Sequence, residues 1–589
     1  MLPGEDGGMN GSPHQRPQQS PGQRQPGPGS SARLAGWLRA HAPELLFALL
    51  LLAVLPMRDL WAPDEPDFAQ CVKEMRLRRD WLLPYLNGVP YSEKPILYYW
   101  VMKASSVLLD ALTGGLGFTG GVAAWALRLP SVIAAVAFLS AFRRWAVRFL
   151  EPGTAETAAL ILAATPLWFW QSQFIQIDLL FSALLAWSWF CWLGGYLLLR
   201  GQAEEAAPGE HRRWFLKAYV WLALAFLAKG PLAPVLSILV LGAFLLWQRD
   251  FAVLRRAGIL AGLGLTLLIV APWYVAAGLK GGARYAYELI IFQNLERATK
   301  AWDHIHPWWK YFEYILGDFF PWVLLLPALA LHLRRERRLE DPAKRFLLLA
   351  LLVPFAFLSI VQSKQGKYLL MSYPFLALLL ADLFRRMEAG RARRLGLLLA
   401  GGLALPALAL AAVALGAGGA KLQAQVAPFL GPIRLMALLL VGGTAFVALR
   451  AWQKHARSLV PGVALSLGLF YLVGGTWGFH RLDVLKSYRR WTAAVQPLIA
   501  GRQVFYWQTI RSGVMVYTGH LMPEIRTAEA LDRMEPGSRL VAQRDEWEQD
   551  AWGMTPATRA RFEVLLAVPT GGGQILLLKK KTDPAPERP

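Results

Sequence analysis

The chain has 589 residues, of which 55% are hydrophobic and only 17% charged, with a formal net charge of +22. Soluble domains carry about 25% charged residues, so this composition indicates an integral membrane protein. Lys and Arg occur in short clusters between apolar runs, which argues against the single basic surface of a nucleic-acid-binding protein. The two cysteines, Cys71 and Cys191, offer neither a disulfide framework nor a cysteine-based zinc site.

The chain divides into three predicted regions. Residues 1–31, rich in Pro, Gly, Gln and Ser, predict a disordered tail. Residues 32–479 form the membrane domain, with thirteen apolar runs that are each about long enough to span a bilayer. These runs lie near 43–60, 122–142, 155–173, 179–199, 214–230, 232–248, 257–278, 318–333, 346–361, 368–384, 395–416, 431–449 and 458–478.

Six basic clusters predict how these spans are oriented. The clusters occur after every second span, so an amino terminus on the inside places all six in the cytoplasm, as the positive-inside rule requires. They are Arg143/Arg144/Arg148, Arg212/Arg213, Arg255/Arg256, Arg334/Arg335/Arg337/Arg338, Arg385/Arg386/Arg393/Arg394 and Arg450/Lys454/Arg457.

The segment 96–112 is an ambiguous apolar run. A span at this point would move the later basic clusters outside. Lys103, Ser106 and Asp110 also give the segment one polar stripe at helical spacing. It is therefore predicted to be a helix that lies in the membrane interface.

This topology places two regions on the extracytoplasmic side. One is the loop 61–121, which holds an acidic pair, a Glu-Lys-Pro triplet and many aromatic residues. The other is 480–589, where strand-like runs (504–507, 540–543, 562–568 and 575–578) alternate with helix-prone stretches and predict a small α/β domain. Charged groups that are held at a bilayer surface indicate a functional site, so loop 61–121 is the candidate catalytic loop.

Asp64 is the first candidate catalytic residue, since a carboxylate at the membrane surface can act as a general base. Its neighbour Glu65 is a candidate substrate-binding residue. Both acids precede Pro66 and a helical apolar pattern, so either one could instead be only a helix N-cap.

Lys94 could bind a leaving phosphate through charge-assisted hydrogen bonds, or it could be a lysine whose aliphatic stem lies along the interfacial helix. Tyr91 and Tyr98 could stack on a sugar or pack on a prenyl chain. An ordinary aromatic belt at the membrane surface explains the two tyrosines equally well.

Further candidates lie on the other extracytoplasmic turns. Asp178 begins a span and could be catalytic or could only complement the helix dipole. Arg297, Lys364 and Lys367 are candidate anion-binding residues. His304 could join Glu93 in a metal site, although the two histidines of HIHP, His304 and His306, do not have the spacing of a helical metal pair.

The motifs in this order resemble a known family. The run DE-x-D-F-A … RDWLLPYLNGVPYSEKPILYYW (64–100) resembles the first outer loop of the polyprenyl-phosphate-dependent GT-C glycosyltransferases, which include protein O-mannosyltransferases and lipid A aminoarabinose transferases. ALRLPSV, QIDLLF, LAKGP, HIHPWW and SKQGKYLLMSYP follow in the family's order, so the resemblance covers roughly 43–380.

The resemblance implies roles for particular residues. It makes Asp64 the catalytic loop aspartate, Asp178 a second acid and Lys94 the lysine near the donor phosphate. Glu93 and His304 match a pair that binds zinc in the aminoarabinose branch, so Zn²⁺ or another divalent cation is the one cofactor implied. The family usually has Arg-Tyr after DE-x, whereas this chain has Asp67-Phe68, which leaves the sugar donor open.

The sequence therefore predicts an inverting glycosyltransferase of the inner membrane, with a cytoplasmic amino terminus and an extracytoplasmic C-terminal domain. It would move a sugar from a polyprenyl-phosphate donor to a lipid, glycan or protein acceptor. The alternative is a non-catalytic transporter of lipids or sugar-lipids. Transporters usually show internal repeats, which are not evident here, and polar residues crowd one face of this chain.

Overall fold

A computed structural model of the chain describes residues 38, 41–116, 121–202, 207–296, 304–335, 338–509, 512–570 and 573–582. The predicted disordered tail (1–31) and Arg297 lie outside these ranges. From residue 42 to residue 486 the described chain is mainly α-helical, and the only strands there are two of two residues each.

Long apolar sequences form most of these helices, and Gly or Pro often lies at their ends. The α-helices are Ala42–Val54, Asp64–Leu77, Leu97–Thr113, Ala124–Phe149, Thr154–Ala163, Pro166–Ser172, Ile177–Leu199, Glu210–Lys229, Leu232–Gln248, Val253–Arg256, Ile259–Tyr287, Lys310–Asp318, Leu326–Arg335, Pro342–Ile360, Tyr373–Arg385, Ala389–Ala414, Gly419–Val426, Leu430–Trp452, Leu459–Val473 and Phe479–Lys486. Shorter 3-10 or π segments are Glu288–Glu296, Trp322–Leu325, Arg338–Glu340, Gly366–Ser372, Ala427–Phe429, Ala456–Ser458 and Gly474–Gly478.

The helices confirm a multi-pass membrane architecture. In the described ranges, eight helical runs are long and apolar enough to cross a membrane, and a pair bent by 112° at 310–334 would make nine. All thirteen predicted spans fall on helices, but three of these (Ala42–Val54, Thr154–Ala163 and Leu232–Gln248) are short. The count of thirteen stays a prediction.

The ambiguous segment 96–112 forms the helix Leu97–Thr113, which is not among the candidate spans. Its polar stripe contacts the Asp64–Leu77 helix. Arg76 pairs with Asp110 and donates to the Ser106 hydroxyl at 2.7 Å, and the Lys103 ammonium donates to the carbonyl of Met75 at 2.9 Å. The polar face of this helix therefore packs against a second helix of the same loop.

The first loop also holds a small hairpin, in which β1 (Tyr85–Leu86) pairs antiparallel with β2 (Val89–Pro90). Glu74 fixes the turn of this hairpin, because its carboxylate accepts from the backbone amides of Asn87 at 2.7 Å and Gly88 at 2.8 Å. Gly88 has a φ of +83°, a conformation that favours glycine.

The C-terminal region forms the predicted α/β domain. Its five strands are β3 (Val504–Trp507), β4 (Glu524–Ile525), β5 (Arg539–Gln543), β6 (Phe562–Thr570) and β7 (Gly573–Lys580), in the order β4-β3-β5-β7-β6. Strand β3 is parallel to β4 and β5, while β7 is antiparallel to β5 and β6. The domain's helices are Arg489–Ile499, Ser512–Thr518, Ala528–Asp532, Arg544–Glu548 and Pro556–Ala560.

Both faces of this sheet are covered. Val541 belongs to one apolar cluster with Trp491 and Val495, while its neighbours Leu540 and Ala542 belong to another on the opposite face. Alternate residues of a strand point to opposite faces, so nearly every position of β5 is buried. This explains why the middle of the central strand, 540–542, is apolar at every position.

Candidate active site

Asp64 lies in the first turn of the Asp64–Leu77 helix. The N-cap position is Pro63, with no side-chain capping hydrogen bond, so the structure excludes an N-cap role for both Asp64 and Glu65. The Asp64 carboxylate accepts from the side-chain amide of Gln176 and lies 3.6 Å from the Lys367 ammonium. Its side chain is 42% exposed, so a substrate can reach it.

Asp178 lies in the first turn of the Ile177–Leu199 helix, whose N-cap is Gln176. Its Oδ1 accepts from Lys229 Nζ at 2.5 Å, and its Oδ2 lies 3.6 Å from Lys367 Nζ. Only 6% of its side chain is exposed. Lys367 thus lies between the two acids that the sequence identified, although these are more than 100 residues apart in the chain.

Two further lysines complete this acid–lysine cluster, which consists of Asp64, Asp178, Lys94, Lys229 and Lys367. Lys94 is half-buried and interacts electrostatically with Asp178. Lys229 also lies 4.4 Å from the centre of the Tyr368 ring. Three ammonium groups around two carboxylates leave one positive charge in excess, which suits a bound phosphate.

Lys229 was not among the predicted site residues. It is the last residue of a helix and comes directly before Gly230 and Pro231. A charge at the end of an apolar span usually extends to the membrane surface, so in the sequence only its place in the motif LAKGP distinguishes Lys229 from a solvated lysine.

Glu65 does not have the environment predicted for a substrate-binding residue. It has no exposed surface, and its oxygens accept from Arg58 at 2.6 and 2.9 Å and from Arg128 at 2.7 and 3.0 Å. The backbone amides of Trp61 and Ile175 donate to the same carboxylate. Burial alone would raise the pKa of this carboxyl, but Arg128 and Arg58 lower it to about 2. Glu65 therefore holds the loop against the membrane helices.

Tyr98 and Lys364, two predicted substrate-binding residues, are also buried in the structure. Tyr98 has no exposed surface, and its hydroxyl hydrogen-bonds with the Ser131 hydroxyl at 3.0 Å. Lys364 is 2% exposed, and its ammonium donates to the carbonyls of His306 at 3.0 Å and of Val361. Burial lowers the pKa of Lys364. Both side chains belong to the packing rather than to an accessible surface.

Tyr91 is partly buried, whereas Glu93 and His304 are exposed. The Tyr91 hydroxyl donates to the Glu93 carboxylate, and its pKa is raised well above the usual value by burial and by this acid. The exposed His304 accepts from the Lys364 amide through its backbone carbonyl, at 2.9 Å. Within the described ranges no three His, Cys, Asp or Glu residues cluster as metal ligands. The Glu93–His304 metal pair stays a prediction and enters no step below.

A cavity of about 630 Å³ is lined by none of the cluster residues, but one of its lining residues, Asp318, lies against Gly366, the neighbour of Lys367. Its wall is mainly apolar and aromatic, and Asp318 is the one carboxylate among the described lining residues. A Cβ at Gly366 would lie 2.2 Å from the Asp318 carboxylate, so this acid fits closely against the residue next to Lys367. The lining residues are Pro166, Leu167, Phe169, Trp170, Gly317, Asp318, Phe429, Pro432, Ile433, Met436, Phe470, Tyr471, Gly474, Gly475, Gly478, Phe479 and Leu482.

The fold matches solved membrane glycosyltransferases. It superposes on ArnT from Cupriavidus metallidurans, solved with undecaprenyl phosphate, with a TM-score of 0.72 and 20% identity, over 92% of this chain and 98% of that one. The oligosaccharyltransferase AglB from Archaeoglobus fulgidus matches with a TM-score of 0.51 and 10% identity, over 90% of this chain and 73% of that one. At these identities the likeness establishes the fold alone.

Sequence comparisons carry the identification further. Residues 45–281 match the profile of the dolichyl-phosphate-mannose-protein mannosyltransferase family. The undecaprenyl phosphate-α-4-amino-4-deoxy-L-arabinose arabinosyl transferase of Pseudomonas aeruginosa is 32% identical over 452 residues, which are 74% of this chain and 75% of that protein. The enzyme of the same name from Shewanella sediminis is 27% identical, over 57% of this chain and 58% of that protein.

The helical membrane domain and these matches define a GT-C glycosyltransferase, a multi-pass membrane enzyme that takes its sugar from a polyprenyl-phosphate carrier. Its relatives are transferases, so the transporter alternative falls away. Within this class, the chain belongs to the family of the aminoarabinose transferases.

Proposed function

We propose that this enzyme transfers 4-amino-4-deoxy-L-arabinose from undecaprenyl phosphate to a lipid A-type glycolipid on the extracytoplasmic face of the inner membrane. This sugar donor is the one in the names of relatives that match most of the length of this chain. The observation that carries the proposal is the acid–lysine cluster, in which an accessible carboxylate, Asp64, lies 3.6 Å from an ammonium group of Lys367.

We assign roles in the reaction to the side chains of the cluster. Asp64 accepts the proton of the acceptor's nucleophilic oxygen as that oxygen bonds to the anomeric carbon of the sugar. The bond from that carbon to the phosphate oxygen breaks, and undecaprenyl phosphate leaves with the electron pair. Lys94 stabilises this leaving phosphate, while Lys367 and Lys229 hold Asp64 and Asp178 in place. Attack opposite the leaving phosphate inverts the anomeric configuration.

The cavity supplies an apolar site next to this chemistry. Its aromatic wall suits the hydrocarbon chain of a lipid substrate, because burial of apolar surface stabilises binding without directional contacts. We therefore assign it to the chain of one of the two lipid substrates.

The experiment that tests the proposal is a reconstituted transfer reaction. Purified enzyme, undecaprenyl phosphate-aminoarabinose and lipid A are incubated, and the lipids are analysed by mass spectrometry. The wild-type protein is expected to add one aminoarabinose residue. Asp64→Asn is expected to reduce turnover at least about 100-fold, because an amide cannot accept the proton.

A matched control uses Glu313→Gln, which neutralises a largely exposed acid that pairs with Lys310 outside the cluster. Its turnover is expected to stay at the wild-type level. Wild-type turnover by Asp64→Asn would contradict the general-base role. Transfer of a different sugar, with aminoarabinose rejected, would overturn the donor assignment alone.

A further inference from the structure

The C-terminal domain contacts the short segment that leads to Asp64. The carboxylate of Asp59, five residues before Asp64, accepts from the hydroxyls of Ser487 at 2.7 Å and of Tyr517. Arg489 Nε lies 3.1 Å from the same carboxylate. Asp59 is largely buried, with 9% of its side chain exposed, whereas Arg489 is 59% exposed, so the contacts with the two hydroxyls are the better shielded from water.

A second carboxylate holds the same segment from the helix Phe479–Lys486. Oδ1 of Asp483 accepts from the backbone amide of Asp59 at 3.0 Å and from the indole nitrogen of Trp61 at 2.7 Å. Hydrogen bonds to a charged acceptor are about twice as strong as neutral ones. The segment is therefore fixed in two ways. Its own Asp59 carboxylate accepts hydrogen bonds from Ser487 and Tyr517, and its backbone and the Trp61 indole donate hydrogen bonds to Asp483.

Two contacts fix the remainder of the loop to the same domain. Lys73, on the Asp64–Leu77 helix, donates to the carbonyl of Val516 at 2.6 Å. The side-chain amide of Asn87 donates to the carbonyl of Met522 at 2.7 Å and accepts from its amide at 2.9 Å. The domain thus contacts the loop before, along and after the helix that carries Asp64.

The segment transmits this restraint directly to the candidate base. Arg128 donates to the carbonyl of Arg58 at 2.8 Å and to that of Asp59 at 2.5 Å, and it also binds Glu65. The carbonyls of Arg58 and Asp59 and the carboxylate of Glu65 are therefore held by one guanidinium, and Asp64 lies between Asp59 and Glu65 in the chain. A shift of the segment would move Asp64 relative to Lys367.

We propose that the C-terminal domain is a positioning part of the active site, in which Tyr517 and Ser487 act through Asp59 to hold Asp64 in its reactive place. The inference rests on the proposed role of Asp64. A displacement of about 1 Å can reduce the rate by about 100-fold, so loss of one anchoring hydroxyl is expected to affect kcat more than substrate binding.

The test uses Tyr517→Phe in the full-length enzyme, assayed by the transfer reaction described above. The variant is expected to lower kcat about tenfold and to leave the KM for the donor within about twofold. Hydrogen exchange, followed by mass spectrometry, is expected to become faster in a peptide that covers 58–65. Ser487→Ala removes the second hydroxyl and is expected to act in the same direction.

Tyr506→Phe is the matched control. Tyr506 lies in β3 of the same domain, and its hydroxyl hydrogen-bonds with Glu524 rather than with the loop. It is expected to leave kcat and the exchange of 58–65 unchanged. Equal effects of Tyr517→Phe and Tyr506→Phe, or an unchanged kcat in both Tyr517→Phe and Ser487→Ala, would overturn the positioning role. Failure of the base assignment would show separately, as an active Asp64→Asn.

Discussion

Asp64 and Glu65 are adjacent acids with opposite environments. Asp64 keeps 42% of its side chain exposed next to a lysine, whereas Glu65 is enclosed by two guanidinium groups and two backbone amides. On a helix, consecutive residues point about 100° apart, so one side chain can face a cleft while the next enters the protein. The acidic pair therefore combines an accessible carboxylate with a structural anchor.

Glu65→Gln is expected to destabilise the protein by about 3–5 kcal/mol, because it leaves two buried arginines without their shared anion. Thermal unfolding in detergent measures this loss, with Glu313→Gln as a nearly neutral control. The folded-state pKa of Glu65 is lowered from 4.5 to about 2, so the stability it supplies is present above pH 4.5. That stability declines as the pH falls towards 2, and an unchanged melting temperature in Glu65→Gln would contradict the anchor role.

Two lysines of one turn are expected to respond differently to the same substitution. Lys367→Met removes the cation between Asp64 and Asp178 and is expected to lower kcat at least about 100-fold. Lys364→Met leaves buried carbonyls without a donor and is expected to cost about 1–3 kcal/mol of stability, with kcat within about threefold. Measurements of kcat and of the melting temperature on both variants distinguish these roles. A stability loss in Lys367→Met and a large loss of kcat in Lys364→Met would contradict them.

The sequence predicted part of this site, for a physical reason. The alternation of basic clusters placed Asp64, Asp178, Lys94 and Lys367 on one face of the membrane, and the structure brings all four together. Whether a side chain on that face points outward or inward depends on partners elsewhere in the chain. Glu65 binds Arg128, 63 residues away, and no local pattern identifies that partner.

At the scale of single elements, the helix Leu97–Thr113 shows that an amphipathic pattern does not identify which polar groups its polar face contacts. Its polar stripe predicts that one face meets polar groups, but water, lipid headgroups and another polar helix all satisfy that condition. The structure identifies Arg76 of the preceding helix as the partner of both Ser106 and Asp110. The sequence predicted the helix correctly, but it did not predict that the polar face of this helix contacts Arg76.

The cavity gives a prediction about the last helical run of the membrane domain. Gly478 lines the cavity, and a Cβ there would meet no atom within 4 Å, so Gly478→Leu adds bulk at the cavity wall without a clash at its Cβ. The variant is expected to raise the KM of one lipid substrate about tenfold, because overpacking of a site typically costs 1–3 kcal/mol. Steady-state kinetics with each lipid varied in turn identifies the substrate whose chain uses the cavity.

Gly468→Leu is the matched control for that measurement. Gly468 belongs to the preceding Leu459–Val473 helix, also has open space at its Cβ, and does not line the cavity. It is expected to leave both KM values unchanged. If Gly478→Leu also leaves both unchanged, the cavity does not hold a substrate chain.

At the scale of the whole molecule, the orientation of the helices can be tested by labelling in intact cells. Glu313→Cys and Ala389→Cys both place a thiol at an exposed position. A membrane-impermeant maleimide is expected to label position 313 directly and position 389 only after permeabilisation, because the basic clusters place 389 inside. Cys71 and Cys191 are buried and should give little background. The opposite labelling pattern would invert the topology.

In the C-terminal domain, sequence patterns predicted the strands but not the contact of the domain with the first loop. The predicted strands at 504–507, 540–543, 562–568 and 575–578 coincide with β3, β5, β6 and β7, because apolar and β-branched runs between polar turns are a local signal. The contact of this domain with the first loop was not predicted. It depends on single polar side chains such as Asp59 and Tyr517, which carry no periodic pattern.

The hydrogen bond between Asp59 and Tyr517 joins residues 458 positions apart. Ribosomes make the chain from its amino terminus, so the loop that carries Asp64 exists long before residue 517 is made. Only when the C-terminal domain has been made and has folded can that loop acquire its final set of contacts. An unfinished or truncated chain would thus carry its candidate base without the restraint that places it, and sugar transfer would begin only after biogenesis is complete.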